Sequence, residues 1–186
     1  MANSISDQDR TACELLNAYR KGDDGVFSQL YNLYARMLLN YGSCLTSDKE
    51  LVKDCVQDVF VHMLDRQNSR YVNRMSSYLI ISLRNRLLDE FRRNTHNTET
   101  PAENYSNLRT EVSVEQTYLS EEINNLNISR VNALLEQLTP RQRGAIHLYY
   151  IEQRKYEEIC ELMNLNYHSV RNLVHRGMLK LRMLAC

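Results

Sequence analysis

Residues 156–182 (YEEICELMNLNYHSVRNLVHRGMLKLR) restrict the fold more than any other stretch of this chain. In residues 166–182, Val170, Leu173, Val174, Leu179 and Leu181 recur at roughly helical spacing and form the expected apolar stripe. His168, Arg171, Asn172, His175, Arg176, Lys180 and Arg182 are polar or cationic, and none of the seventeen residues is acidic. A shorter amphipathic segment, 156–163, precedes them across Asn164, Leu165 and Asn166. Helix, three-residue turn and basic helix is the pattern of a helix-turn-helix, whose second helix enters the major groove of duplex DNA. The competing reading is a C-terminal amphipathic helix with a solvated basic face. The paired helix and the missing acids favour DNA.

The rest of the chain reads as all-α. Gly (5) and Pro (2) are scarce in 186 residues, and strand-like alternation is absent. A first helix is expected over 5–21, with Gly22 ending it. Asp23 or Asp24 can cap a second, to about residue 42, with Val26, Phe27, Leu30, Tyr31, Tyr34, Met37, Leu38 and Tyr41 as core. Ser47 with Glu50 reads as a capping box opening a third helix, to about residue 65. Its inward face is Leu51, Val52, Cys55, Val56, Val59, Phe60 and Met63, and Asp54, Gln57, Asp58 and His62 lie on the other side. That acidic, amide-rich face is unlike a DNA contact.

A polar loop over 66–74 (RQNSRYVNR) carries Arg66, Asn68, Arg70, Tyr71, Asn73 and Arg74 and no acid. A fourth helix follows to about residue 93, with Tyr78, Leu79, Leu83, Leu87 and Phe91 as its apolar face and Arg84, Asn85, Arg86, Arg92 and Arg93 among its polar positions. Cations interleaved with a ring and amides suit single-stranded nucleic acid: cations follow phosphates, a ring stacks on a base, and amides read base edges. A solvated loop and helix face is the alternative.

Residues 94–126 are polar and acidic, which marks a linker. Beyond it, Val131, Leu134, Leu135 and Leu138 read as core, and Thr139-Pro140 as an N-cap followed by proline opening a helix to about residue 150. The expected organisation is therefore two small helical domains, 1–96 and 127–186, joined by a linker over 97–126.

Formal charge sums to zero, with 23 basic and 23 acidic residues, but it is segregated. Residues 99–126 hold 1 basic and 6 acidic residues, whereas 127–186 hold 9 and 5. The C-terminal unit is thus net basic, which points to a nucleic-acid partner.

The cysteines number five and none are at C-x-x-C spacing. Cys13, Cys55 and Cys160 fall in apolar stripes and read as small buried hydrophobes in a reducing compartment. With no apolar N-terminal leader and no run long enough to cross a membrane, a soluble cytoplasmic protein is expected. Phosphate-binding glycine loops, H-E-x-x-H, G-x-S-x-G and clustered metal ligands are all missing. His147 reads as a packed or rim residue. An enzyme, a cofactor and a metal are not expected.

These blocks together resemble a known family. LTPRQRGAIHLYYIEQRKYEEICELMNLNYHSVRNLVHRGMLKLR is similar to region 4 of bacterial sigma-70-type factors. DCVQDVFVHML followed by SSYLIISLRNRLLDEFRR is similar to region 2. A chain of only these regions and a linker resembles the extracytoplasmic-function (group 4) sigma factors, and its subtype resembles those of Bacteroidetes. The resemblance implies a factor that binds core RNA polymerase and directs it to promoters. Asp54, Gln57, Asp58 and His62 would face the polymerase clamp. Arg66, Asn68, Arg70, Tyr71, Asn73, Arg74, Tyr78, Arg84 and Asn85 would capture a flipped base of the single-stranded −10 element. Flipping costs a few kcal/mol, offset by stacking and edge hydrogen bonds. Asn166, Tyr167, His168, Ser169, Arg171, Asn172 and His175 would read the −35 duplex, with Arg176 and Lys180 on phosphates. An anti-sigma factor is an implied partner. Many relatives carry a basic residue where this chain has Leu173 and a small one at His168, so the resemblance does not imply which bases this helix reads. The alternative considered is a dimeric helix-turn-helix regulator that binds duplex DNA only, for which no dimerisation surface or effector pocket stands out.

Overall fold

The structure is a computed structural model that describes residues 7–64, 74–96 and 131–185. Among the described residues there is no strand. The chain divides into two compact units, Met1–Thr100 and Pro101–Cys186.

Among the described residues the first unit holds four α-helices: α1 (Asp7–Arg20), α2 (Phe27–Leu45), α3 (Lys49–Leu64) and α4 (Met75–His96). A 3₁₀ turn, Asp24–Val26, precedes α2, which therefore starts later than expected. The Asp23 carboxylate is spent on that turn, accepting the Gly25 N–H at 3.1 Å. At its other end α2 runs past Gly42 to Leu45. A Cβ at Gly42 would lie 2.5 Å from Val52 Cγ1, so this glycine marks close approach of α2 and α3, not a helix end.

The cap of α3 is Asp48, not Ser47: Asp48 Oδ1 accepts the Leu51 N–H at 3.0 Å. The box spacing counted from Ser47 misses by one residue, because the carboxylate next door is the stronger acceptor. Glu50 pairs with Lys53 at 2.7 Å instead of reaching back.

The core is formed by Leu30, Tyr34, Leu38 and Tyr41 of α2, the Val52–Cys55–Val56–Val59–Phe60–Met63 stripe of α3, and Leu79, Leu83 and Leu87 of α4. Ile80 and Met75 join it, whereas Tyr78 and Phe91 are only half-buried. Phe27 is 38% exposed, and Tyr31 and Met37 are half-buried, so these three members of the expected α2 stripe sit at the rim while Val26 and Leu30 are inside. Burial pushes the Tyr41 phenol up to about 12. Cys55 is buried and its thiol is pushed up to about 11 by burial, but Cys13 and Cys160 are only half-buried.

Two polar residues, Asp9 and Ser76, break the apolar interior of the described residues, and they pair with each other. Asp9 of α1 is 3% exposed. Its Oδ1 accepts the Tyr34 hydroxyl at 2.7 Å and the Ser76 N–H at 2.8 Å, and its Oδ2 accepts the Ser76 hydroxyl at 3.1 Å. A carboxylate at the start of α4 satisfies an N–H that has no partner within its own helix and faces the positive end of the helix dipole. Asp9 thereby ties α1 and α2 to the first turn of α4.

The described part of the second unit begins in a helical stretch, α5, described over residues 131–136. Val131 is exposed, Leu134 and Leu135 are half-buried, and Leu138 alone of the expected four is fully inside. The Arg143 guanidinium covers the end of α5, donating to the Leu138 carbonyl at 3.1 Å and the Glu136 carbonyl at 3.4 Å. Thr139 and Gln142 form the capping box of α6 (Pro140–Ile146), with Gln142 N–H to Thr139 Oγ1 at 3.3 Å and Thr139 N–H to Gln142 Oε1 at 3.1 Å. The chain then widens into a π-helix, His147–Ile151, where an ordinary α-helical end was expected. Its closing bond is Glu152 N–H to the His147 carbonyl at 3.0 Å.

α7 (Tyr156–Met163) ends at Asn164, which adopts left-handed backbone (φ 51°, ψ 52°), a conformation that asparagine tolerates better than most residues. α8 (Tyr167–Ala185) begins three residues later. Val170, Val174 and Gly177 form its buried seam. A Cβ at Gly177 would stand 2.7 Å from Ile146 Cδ1, so α8 crosses α6 with no room for a side chain there. Leu179, placed in the stripe by periodicity, is 50% exposed, because the seam runs through Gly177.

Candidate nucleic-acid interface

The two helices α7 and α8 are joined by a turn in which a polar side chain sets the start of the second. Asn166 Oδ1 accepts the Ser169 N–H at 2.8 Å, the N-cap arrangement. From that start, residues separated by three, four and seven positions share a face. With Val170 and Val174 inward, His168, Arg171, and His175 point outward and are exposed. Asn172 and Ser169 are half-buried at its edges, and Arg176 is exposed. Among the described residues Arg171 and Arg176 make no ion pair. A helix with outward cations and no acid can follow phosphates and reach guanine O6 and N7 in a major groove. Lys180 is used differently: its ammonium donates to the Gln137 carbonyl and ties α8 to the end of α5.

Four tyrosines form a chain of ring contacts that ends on the first residue of α8. Tyr149 and Tyr150 lie edge-to-face at 4.9 Å. Tyr149 stacks on Tyr156 at 4.7 Å with 24° between planes, and Tyr156 meets Tyr167 at 5.5 Å and 62°. Burial, followed by the neighbouring Tyr149, raises the Tyr156 phenol above its ordinary value. Tyr167 is 49% exposed. Sequence reading placed Tyr167 in the site but missed Tyr149 and Tyr156, which lie on other helices; the only signal was the number of tyrosines, 12 in the chain.

In the first unit, Arg66, Asn68, Arg70, Tyr71 and Asn73 lie outside the described residues. Arg74 and Tyr78 are half-buried at the start of α4, and the Tyr78 N–H donates to the Arg74 carbonyl at 3.0 Å. Arg84 is half-buried, and its Nη1 donates weakly to Asn85 Oδ1 at 3.4 Å. Tyr78 and Asn85 are seven residues apart, about two turns, and share a ridge of α4; Arg84 faces elsewhere.

Asp54, Gln57, Asp58 and His62 are all exposed on α3, as the sequence suggested. Asp58 and His62 line an open groove between α3 and α4, together with Tyr19, Val61, Asn85 and Arg86. The structure thus brings Asn85 into the company of Asp58 and His62. Val61, 69% exposed, adds an apolar side chain that sequence reading left out. Arg86 crosses the groove, with Nε and Nη2 donating to Asp58 Oδ2 at 2.9 and 2.8 Å, and it also pairs with Glu90. Its hydrogen bond to Asp58 raises the guanidinium above its ordinary value. Arg93 reaches Glu90 at 3.0 Å and Arg92 reaches Asp89 at 3.2 Å. Three of the cations counted for α4 are therefore held by its own or neighbouring acids.

Among the described residues no group of three or more His, Cys, Asp or Glu is placed to hold a metal ion. No described helix is long and apolar enough to cross a membrane.

Residues 30–97 match the profile of sigma-70 region 2, and residues 128–181 match that of sigma-70 region 4. Two proteins of Bacillus subtilis are similar over most of their length. The ECF RNA polymerase sigma factor SigM is 20% identical over 160 residues, 86% of this chain and 94% of SigM. The ECF RNA polymerase sigma factor SigX is 24% identical over 161 residues, 84% of this chain and 82% of SigX. Neither bears on the Bacteroidetes subtype. Two solved structures share the fold. CnrH, solved in complex with the cytosolic domain of CnrY, has a TM-score of 0.64 at 21% identity over 96% of this chain and 97% of CnrH. The sigma factor RpoE of Bartonella quintana, solved with the anti-sigma factor NepR, has a TM-score of 0.61 at 20% identity over 86% of this chain and 96% of RpoE.

Proposed function

We propose, for a chain that belongs to the extracytoplasmic-function group of the sigma-70 family and directs RNA polymerase to promoters, a division of that work between its two units. Residues 127–186 read the −35 duplex through the outward face of α8. Arg171, His168, His175 and Tyr167 meet base edges, with Asn172 and Ser169 at the margin and Arg176 on phosphate. Residues 1–96 bind core polymerase through Asp54, Gln57, Asp58 and His62. The same domain holds the opened −10 strand through Tyr78, Arg84, Asn85 and the cations of 66–74. Residues 97–126 link the two. The observation that carries this reading is an acid-free, outward cationic face on a helix-turn-helix, in one chain with a region 2 block.

Binding to polymerase and DNA needs no catalysis by this chain, since polymerase performs the chemistry. The reading places the protein in the cytoplasm, where polymerase is. It also includes a protein antagonist, of the kind that NepR is for RpoE.

Transcription reconstituted with core RNA polymerase tests the division. Arg171→Ala should lose initiation from duplex promoters that depend on the −35 element. Asn85→Ala should be impaired on duplex templates and rescued when the −10 region is melted in advance. Equal defects of both variants on both templates would sink the assignment. Duplex binding without any binding to core polymerase would replace it with a regulator that acts on DNA alone.

A further inference from the structure

We infer that Tyr167 recognises a thymine of the −35 duplex through the C5 methyl group, and that Tyr156 and Tyr149 hold its ring for that contact. The inference rests on the reading of α8 as the recognition helix. Three rings form a continuous ladder: Tyr149 against Tyr156 at 4.7 Å, and Tyr156 against Tyr167 at 5.5 Å. The ladder starts in the π-helix, crosses the first residue of α7 and ends on the first residue of α8. Tyr149 and Tyr156 are half-buried, whereas about half of Tyr167 remains open to solvent. Tyr167 therefore meets Tyr156 edge-to-face and still keeps about half of its surface open.

Recognition helices meet base edges with their N-terminal residues. The neighbours of Tyr167 there have other tasks or other chemistry. Asn166 spends its side-chain oxygen on the Ser169 N–H, and His168 and Arg171 offer hydrogen-bond donors. Tyr167 offers ring carbon. In the major groove the thymine methyl is the one apolar group that any base presents. Covering a methyl with ring carbon removes both from water. A ring already held against Tyr156, itself stacked on Tyr149, loses little conformational freedom on binding, so more of that gain appears as affinity.

The full-length protein with core RNA polymerase is the system to test it, using a pool of duplex promoters randomised across the −35 region. In the selected promoters, each thymine is then replaced by uracil, which removes only the methyl. The expected result is one position at which uracil weakens binding about fourfold, the value of one buried methyl group. Tyr167→Phe should keep that preference, and Tyr167→Ala should abolish it. Tyr156→Phe should keep it, and Tyr156→Leu should reduce it while the loss caused by Arg171→Ala stays unchanged. A selected −35 region without thymine, or no uracil effect at any position, overturns the inference. So does an equal loss in Tyr167→Phe and Tyr167→Ala across all sequences, which would place the hydroxyl on a phosphate. If Arg171→Ala also leaves the −35 preference untouched, the reading of α8 itself fails, a result distinct from the failure of Tyr167 alone.

Discussion

The cations of α4 and those of α8 are equally visible in the sequence and are used in opposite ways. In α4, Arg86, Arg92 and Arg93 each lie three or four residues from Asp89 or Glu90, and all three are paired. In α8 the nearest acid in sequence is Glu161, before the turn, and Arg171 and Arg176 face outward among the described residues without an ion pair. A count of basic residues does not separate the two cases; the spacing of the acids does. The helices also differ in how they are anchored. α4 is fixed at its first turn by a buried carboxylate from another helix, and α8 by contact without a gap along Gly177 and by the tyrosine ladder.

The largest effect should come from breaking the anchor of α4. Asp9→Ala removes the carboxylate that accepts from the Ser76 N–H, the Ser76 hydroxyl and the Tyr34 hydroxyl in the interior. The expected loss is on the order of 3 kcal/mol in the unfolding of the first unit, read by denaturant titration. A loss under about 1 kcal/mol would mean that water replaces the carboxylate. Next is Arg171→Ala, which should cost about 1–3 kcal/mol of −35 discrimination while leaving thermal stability where it was. A stability loss of the same size would show that Arg171 is structural, and the contrast with α4 would fail.

Gly177→Ala sharpens the second half of the comparison. Alanine in a helix interior gains about 1 kcal/mol over glycine. Overpacking costs about 1–3 kcal/mol, and the obstructing atom is the flexible end of Ile146. The net expectation is a destabilisation of roughly 1 kcal/mol, seen as a lower melting temperature with unchanged helicity. The smallest effect belongs to Arg92→Ala and Arg93→Ala. Exposed pairs one turn apart contribute about 0.3–0.5 kcal/mol, so both variants should stay near wild type in stability and in promoter opening. A large opening defect from either would return these residues to the DNA-facing set.

Much of the architecture was legible because its signals span no more than a few residues. Apolar stripes at i, i+3 and i+4, Thr139-Pro140 at a helix start and the turn at 164–166 each act within one or two turns. They set helix positions to within a few residues and identified the outward face of α8. Where local signals competed, sequence reading slipped. Asp48 displaced Ser47 as the cap, Gly42 stayed inside its helix, and Leu179 fell outside the seam.

What the chain's sequence determined by itself is its helical content, its helix-turn-helix and the two family blocks, since these depend on neighbours in the chain. Only the tertiary structure decided which helix meets which. It paired Asp9 with Ser76 across 67 positions, seated Ile146 over Gly177, and stacked tyrosines from three elements into one ladder. It also placed Asn85 in the groove with Asp58 and His62. Periodicity specifies that a face is buried, but the partner of that face depends on how helices cross, which close packing among distant residues selects.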